Sequence, residues 1–148
     1  MIQHNEDSMI DHRSWDPQTT GPRIHIDLPL PPQELKPNAR SHWTAKAHAT
    51  KRYRQTAWAI ARSAIGLHPP RWTTATCQAT FRFPTRRRRD RDNLLASLKS
   101  AFDGIADAGI VANDAGLIHL PVAIEIASDR PAQVTLTICE AHHERITV

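Results

Sequence analysis

Alternation of apolar and polar residues predicts four strands in this chain. Residues 24–28 show the period-two pattern of a half-buried strand, and the prolines that follow end it. Residues 72–83 repeat the pattern with apolar side chains on one face and polar ones on the other, and Pro84 stops the run. Residues 118–127 and 133–140 predict the last two strands, which are joined by a short turn.

Helical spacing of apolar residues predicts two helices between these strands. Residues 44–65 contain no glycine or proline, and Gly66 follows where a C-terminal cap belongs. The apolar stripe of this helix is predicted to comprise Ala47, Thr50, Tyr53, Ala57, Ile60 and Ala61. Residues 92–106 predict the second helix, closed by a turn over 107–109. Its stripe comprises Leu94, Leu95, Leu98, Ala101, Phe102 and Ile105.

The resulting order, β-α-β-α-β-β, is typical of an α/β (α+β) fold in which two main helices pack on a mixed β-sheet. A length of 148 residues fits a single domain. Residues 1–22 show no periodicity and predict a flexible N-terminal arm, so we expect the domain itself over residues 23–148.

Composition excludes several classes of protein. A hydrophobic share of 40% and a charged share of 23% argue against wholesale disorder. No run approaches the roughly 20 apolar residues of a membrane helix, and the first residues are acidic and polar, unlike a signal peptide. These features predict a cytoplasmic protein with no membrane partner. Cys77 and Cys139 are expected to be reduced core thiols. No histidine spacing indicates zinc, and no glycine-rich loop indicates a nucleotide cofactor.

Charge is divided unevenly along the chain. Residues 36–62 hold seven lysines and arginines and no acid, and residues 82–99 hold seven against two acids. Residues 1–35 and 100–148 are acidic. Two basic runs in one domain favour a polyanionic partner such as nucleic acid over an ordinary solvated surface. The basic residues expected to contact phosphate are Lys46, Lys51, Arg52, Arg54, Arg86, Arg87, Arg88, Arg89 and Arg91.

Two aspartates stand inside the second basic run, in the segment RRRRDRDN. Asp90 and Asp92 would repel a phosphate unless a cation intervened, and carboxylates with phosphate oxygens are the ligands that Mg²⁺ prefers. The pair therefore suits metal-assisted phosphodiester cleavage. Alternatively, Asp92 caps the second helix and Asp90 pairs with an arginine. Asn113 and Asp114 form a second polar site. Taken alone they are better explained as turn residues, but the chain can fold back there so that Asp114 approaches the start of that helix.

The segment RRRRDRDNLLASLKSAFDGIADAGIVANDAGL resembles the RusA family of Holliday-junction resolvases, in which an Asp-x-Asp-Asn sequence opens a helix and an acidic pair follows. More loosely, LPLPPQELKPNARSHW and the basic helix after it resemble the N-terminal part of that family, so the resemblance covers most of residues 23–140. It implies a homodimeric, Mg²⁺-dependent endonuclease, with Mn²⁺ as an alternative ion, that cuts four-way DNA junctions by paired nicks.

Carried over by position, the resemblance implies that Asp90, Asp92 and Asp114 bind the metal. Two positions depart from the family pattern: Ala96 stands where members commonly have a lysine, and Asn113 stands where they commonly have an aspartate. Lys99 offers a replacement for the lysine, because seven helical steps from Asp92 return to nearly the same face, about 10.5 Å along the axis. We therefore include Lys99 with the three aspartates as a candidate catalytic residue.

Three other functions are compatible with the sequence. One is a non-catalytic basic DNA-binding module, in which the aspartates are caps and ion pairs. Another is a nuclease of the same fold that acts on other branched DNA. A purely structural role is the weakest, because it explains neither the charge distribution nor the DxDN sequence. The base preference at the cut site, the dimer interface and the role of the arm are left open by the sequence.

Overall fold

The structure is a computed structural model that describes residues 21–141, so all of the predicted arm except Gly21 and Pro22 lies outside the described residues. Two main helices, one short helix and a five-stranded mixed sheet form the fold. The strands are β1 (Arg23–Leu28), β2 (Ala75–Phe83), β3 (Leu117–His119), β4 (Ala123–Ile126) and β5 (Gln133–Glu140). The helices are α1 (Trp43–Ile65), α2 (Arg91–Ala96) and α3 (Lys99–Ala108), with 3₁₀ turns at Gln33–Leu35 and Asp114–Gly116.

The sheet has the order β1-β5-β2, and β3 and β4 share the far edge of β2. β5 is antiparallel to both of its neighbours, with Ile26 opposite Leu136 and Cys77 opposite Ile138. β3 and β4 run parallel to β2, β3 along its first residues and β4 along its last. β2 is therefore paired on both sides, and the loop that follows it leaves from the middle of the sheet.

The core lies between the sheet and the helices. Phe81, Leu98, Ile105 and Leu136 are almost completely buried there. α1 and α3 pack closely because Gly104 has no side chain: a Cβ at this position would collide with the carbonyl oxygen of Arg54. Among residues 21–141, no helix is long and apolar enough to cross a membrane.

The mixed sheet with two main helices was predicted correctly, and so were β1, β5, α1 and the apolar face of β2. Cys77 and Cys139 are buried as expected, and no disulfide joins them; burial raises the pKa of the Cys77 thiol to about 12. Gly66 ends α1 with a positive φ of 67°.

Three details of the prediction were wrong. The N-terminal part of the α1 stripe is shifted, because Ala47 and Thr50 are exposed and Ala49 is buried instead. The predicted strand 118–127 is divided into β3 and β4, since Pro121 lies between them and lacks the N–H that a continuous ladder needs. The predicted helix 92–106 is divided into α2 and α3 at Ser97 and Leu98.

Candidate active site

The loop from Pro84 to Asp90 joins β2 to α2 and carries four consecutive arginines. Arg89 folds back onto the strand, and its guanidinium carbon lies 3.7 Å from the centre of the Phe83 ring. Its Nη1 donates hydrogen bonds to the carbonyl oxygens of Thr85, at 3.1 Å, and Arg87, at 3.3 Å. Arg89 thus braces the loop, while Arg86, Arg87 and Arg88 remain exposed.

Asp90 is the N-cap of α2. Its Oδ1 accepts hydrogen bonds from the backbone N–H groups of Asp92, at 2.9 Å, and Asn93, at 3.3 Å. Asp92 lies in the first turn of the helix and is exposed. Asp90, and not Asp92, is therefore the capping residue, and only one of its carboxylate oxygens is used for that purpose. The two carboxylates are two residues apart at the start of one helix, beside the arginine loop.

The break between α2 and α3 determines where Lys99 is placed. Ser97 and Leu98 are buried; the Ser97 hydroxyl donates to the Leu94 carbonyl oxygen at 2.6 Å, and the Leu98 N–H donates to the Leu95 carbonyl oxygen three residues back. This tightened turn alters the straight-helix geometry from which the position of Lys99 was predicted. Lys99 is the first residue of α3, and its side chain is 73% exposed.

Lys99 forms ion pairs with two carboxylates. Its Nζ lies 3.1 Å from Oδ1 of Asp103, one helical turn further along α3, and 3.6 Å from Oδ2 of Asp114. The hydrogen bond with Asp103, together with the charges of both aspartates, raises the pKa of the Lys99 ammonium group, so Lys99 is a cation at neutral pH. The structure thus brings Lys99 and Asp114 together at the start of α3, whereas the sequence predicted that Asp114 approaches the start of a single helix at Asp92.

The turn that holds Asp114 is fixed at both ends. The Asn113 side chain caps it, because its Oδ1 accepts a hydrogen bond from the Ala115 N–H at 2.9 Å. Gly116 packs against the strand side, where a Cβ would collide with the Thr73 carbonyl oxygen. An asparagine at position 113 therefore has a structural use in this chain, since it positions the backbone next to Asp114.

His119 lies near the same group of residues. Its ring centre is 4.4 Å from that of Phe102 on α3. Partial desolvation of the ring, assisted by the positive charge of Lys99, lowers the pKa of His119. The residue is therefore held mainly as neutral imidazole at neutral pH, and we assign it no part in the chemistry.

The predicted phosphate-binding residues differ in how available their charges are. Lys46, Lys51 and Arg52 are exposed along α1, and none of them forms an ion pair with another described residue. Arg54 is different, because its Nε and Nη2 donate to Asp107 on α3 at 2.6 and 2.9 Å. This pairing lowers the pKa of Asp107. Arg91 is exposed, and its Nε donates to the Val122 carbonyl oxygen at 3.2 Å, which ties α2 to the edge of the sheet.

Sequence comparisons identify relatives of this chain. No family model matches it. A protein of undetermined function from Xylella fastidiosa is 40% identical over 116 residues, which cover 76% of this chain and 74% of the relative. The crossover junction endodeoxyribonuclease RusA of Enterobacteria phage 82 is 32% identical over 127 residues, covering 81% of this chain and 97% of the relative. The protein of the same name from Escherichia coli K12 is 32% identical over 126 residues, covering 80% and 96%. The chain belongs to the RusA family.

Membership of the RusA family directs attention to the three aspartates as possible metal ligands. Carboxylate oxygens have the right chemistry for Mg²⁺, which takes one or two protein carboxylates when phosphate oxygens and waters complete its coordination. The Asp90–Asp92 pair meets that requirement in number. Asp114 lies beside Lys99, which is seven positions after Asp92 along the interrupted helix. Within residues 21–141, no three His, Cys, Asp or Glu side chains are grouped so that they could hold a metal ion by themselves.

The sequence interpretation missed three functional contacts. Asp103 was not considered, although its spacing from Lys99, i to i+4, is the standard signal for a helical ion pair. The Arg54–Asp107 pair joins two helices, and no local pattern indicates it. Arg89 was expected to contact phosphate, and in this RusA family member its guanidinium packs on Phe83. The sequence does not reveal this contact, because it depends on how the loop after β2 folds back onto the strand.

Proposed function

We propose that this protein is an endodeoxyribonuclease that resolves four-way DNA junctions, with Mg²⁺ as cofactor. The proposal rests on family membership over nearly the whole length of relatives named crossover junction endodeoxyribonucleases. The local structure supports it, because two carboxylates at the start of α2 lie next to three exposed arginines. Carboxylates beside a phosphate-binding surface are favourable when a divalent cation lies between them.

In this proposal Asp90 and Asp92 would hold the metal ion, and Asp114, the third carboxylate that the family resemblance implies, lies beside Lys99. A bound Mg²⁺ ion would supply an activated water and stabilise negative charge on the leaving oxygen. Asp90 keeps one carboxylate oxygen for this purpose, since its other oxygen caps α2. Lys99 holds its positive charge beside Asp114 and is available to stabilise negative charge on a phosphate, which is the role expected of the lysine that is missing at position 96.

The exposed arginines of the loop and the lysines of α1 would hold the junction arms by phosphate contacts, which position DNA without reading its sequence. Binding should therefore weaken steeply as salt concentration rises. Because one active site makes one nick at a time, paired cuts across a junction need two copies of the chain, so we also propose a two-fold homodimer.

The decisive test is cleavage of a synthetic four-way junction, with linear duplex of the same sequence as the control substrate. We expect junction-selective nicking with Mg²⁺, none with a chelator, and loss of nicking in Asp92→Asn. The matched control is Asp129→Asn, which neutralises an exposed carboxylate in the turn between β4 and β5 and should retain full activity. Binding without cleavage under all metals tested would instead support a non-catalytic DNA-binding module, and cleavage of other branched DNA alone would change the substrate.

A further inference from the structure

A cleft beside Asp90 has no role in the proposal so far, although Asp90 and Arg89 are among the residues that line it. It lies between the proline-rich loop after β1, the end of β2 and the start of α2, and its volume is about 330 Å³. This is at the lower end of the range for small-molecule sites, roughly 300–1,000 Å³. Asp90 lines the cleft, so whatever occupies it is adjacent to the proposed site of cleavage.

Hydrophobic and cationic side chains line part of the cleft. Phe81 and Phe83 line it, but both side chains are buried, and the guanidinium of Arg89 covers the Phe83 ring, so the flat surface left for a ligand is that of Arg89. Arg89 also lines the cleft, and its guanidinium plane is held in place over Phe83 by two hydrogen bonds to loop carbonyls. Guanidinium planes are among the surfaces on which unstacked bases stack in nucleic-acid complexes.

Polar groups that also line the cleft have the chemistry for reading a base edge. Asn93 lines the cleft, and within the described part of the chain its side-chain amide makes no hydrogen bond. An amide presents a donor and an acceptor side by side, which allows it to make paired hydrogen bonds with a base. Lys36 and Asn38 line the cleft from the proline-rich loop, and the exposed arginines immediately precede Arg89 in the chain.

We propose that this cleft binds one unpaired nucleobase of a branched DNA substrate and thereby sets the base preference of the cut. This inference rests on the proposed function, and it adds recognition of a base, which phosphate contacts cannot supply. The positive charge around the cleft favours a nucleotide over a neutral ligand. A branch point favours this binding mode as well, because a base there is more easily removed from its stack than one inside a continuous duplex.

The first measurement uses the full chain and four-way junctions that carry 2-aminopurine at single positions around the branch, in chelator so that no cleavage occurs. The wild-type protein should raise the fluorescence severalfold at one position near the branch and leave the others little changed. Asn38→Trp, which fills the mouth of the cleft from an exposed loop, should abolish that rise. The matched control, Leu67→Trp, adds the same side chain to the exposed turn that follows α1, at a position that does not line the cleft, and should retain it.

The second measurement compares cleavage rates of junctions that differ only at that base. A paired base contact discriminates by roughly tenfold or more, so Asn93→Ala should reduce the wild-type preference to about twofold or less while the variant still binds the junction. The inference is wrong if the wild-type protein binds and cuts the junction but 2-aminopurine fluorescence rises at no position. It is also wrong if Asn38→Trp produces the same rise in fluorescence as the wild type. If the wild-type protein neither binds nor cuts junctions, the proposed function itself fails, and the inference fails with it.

Discussion

Asp90 has two roles in this structure that substitutions can separate, one in helix capping and one in the proposed metal site. Its Oδ1 accepts hydrogen bonds from two backbone N–H groups at the start of α2. Asparagine is about as good an N-cap as aspartate, whereas alanine is much poorer. Asp90→Asn therefore removes the negative charge and keeps the cap, while Asp90→Ala removes both.

The cost of losing the cap follows from its geometry. Replacing an N-cap aspartate by alanine costs about 1 kcal/mol, within a range of roughly 0.5–2 kcal/mol. Asp90 is exposed, so water can partly replace the lost acceptor, and we expect a value near the middle of that range. For a domain of this size, about 1 kcal/mol corresponds to a fall in Tm of roughly 4 °C. Asp90→Asn should lose at most a few tenths of a kcal/mol, since only the favourable charge at the helix N-terminus is removed.

Thermal unfolding and junction cleavage, measured on the same two variants, check both roles. Both variants should lose Mg²⁺-dependent cleavage by about 100-fold or more, and only Asp90→Ala should show the fall in Tm. Retained cleavage in Asp90→Asn would refute the metal-ligand assignment. Equal Tm values for the two variants would refute the capping argument and leave the metal assignment intact.

Four further predictions use other contacts of the structure. Lys99→Ala should reduce cleavage by about 100-fold in a junction assay; unchanged cleavage beside an inactive Asp92→Asn would remove Lys99 from the site. Asp107→Ala should cost less than about 1 kcal/mol in denaturant unfolding, because its ion pair is exposed; a larger loss would mean the pair is more than a surface contact. Gly104→Ala should cost about 1–3 kcal/mol or more, seen as a lower Tm; an unchanged Tm would contradict the close approach of α1 and α3. Because the pKa of His119 is lowered in the folded state, protonation of its ring favours unfolding. As the pH is lowered through about 6.5, the free energy of unfolding should therefore decrease more for the wild type than for His119→Gln; a smaller decrease for the wild type would contradict the lowered pKa.

The sequence was informative wherever one physical pattern dominated. β1, β5 and β2 alternate between more and less buried residues over most of their length, and one face of each is covered by helices, so the alternation records burial directly. Gly66 ends α1 because it adopts a positive φ without steric cost. These features depend on local chemistry and on burial that is repeated along a whole element.

Prediction failed where a contact between distant segments decided the outcome. Ala49 is buried in place of Ala47 because the N-terminal half of α1 packs on the proline-rich loop, and the alanine-rich sequence offers several equivalent stripes. Arg89 differs from its three arginine neighbours only because the loop folds back over Phe83. The three candidate metal ligands were assigned by their positions in the family's sequence motif. A motif does not contain the distances between residues on separate elements, so it could not predict how far apart the three carboxylates lie.

The interrupted helix shows that the straight-helix argument for the position of Lys99 does not hold in this chain. A straight helix predicts Lys99 from seven steps of about 100°, which return close to the face of Asp92. In the structure the turn at Ser97 and Leu98 resets the helix, and Lys99 is fixed instead by Asp103 one turn later and by Asp114 across the site. The position of the ammonium group is thus determined by its two carboxylate partners. Asp103→Asn should therefore weaken the contact that positions the Lys99 ammonium group, while Lys99 keeps its charge. The loss of cleavage in Asp103→Asn should be smaller than the loss in Lys99→Ala.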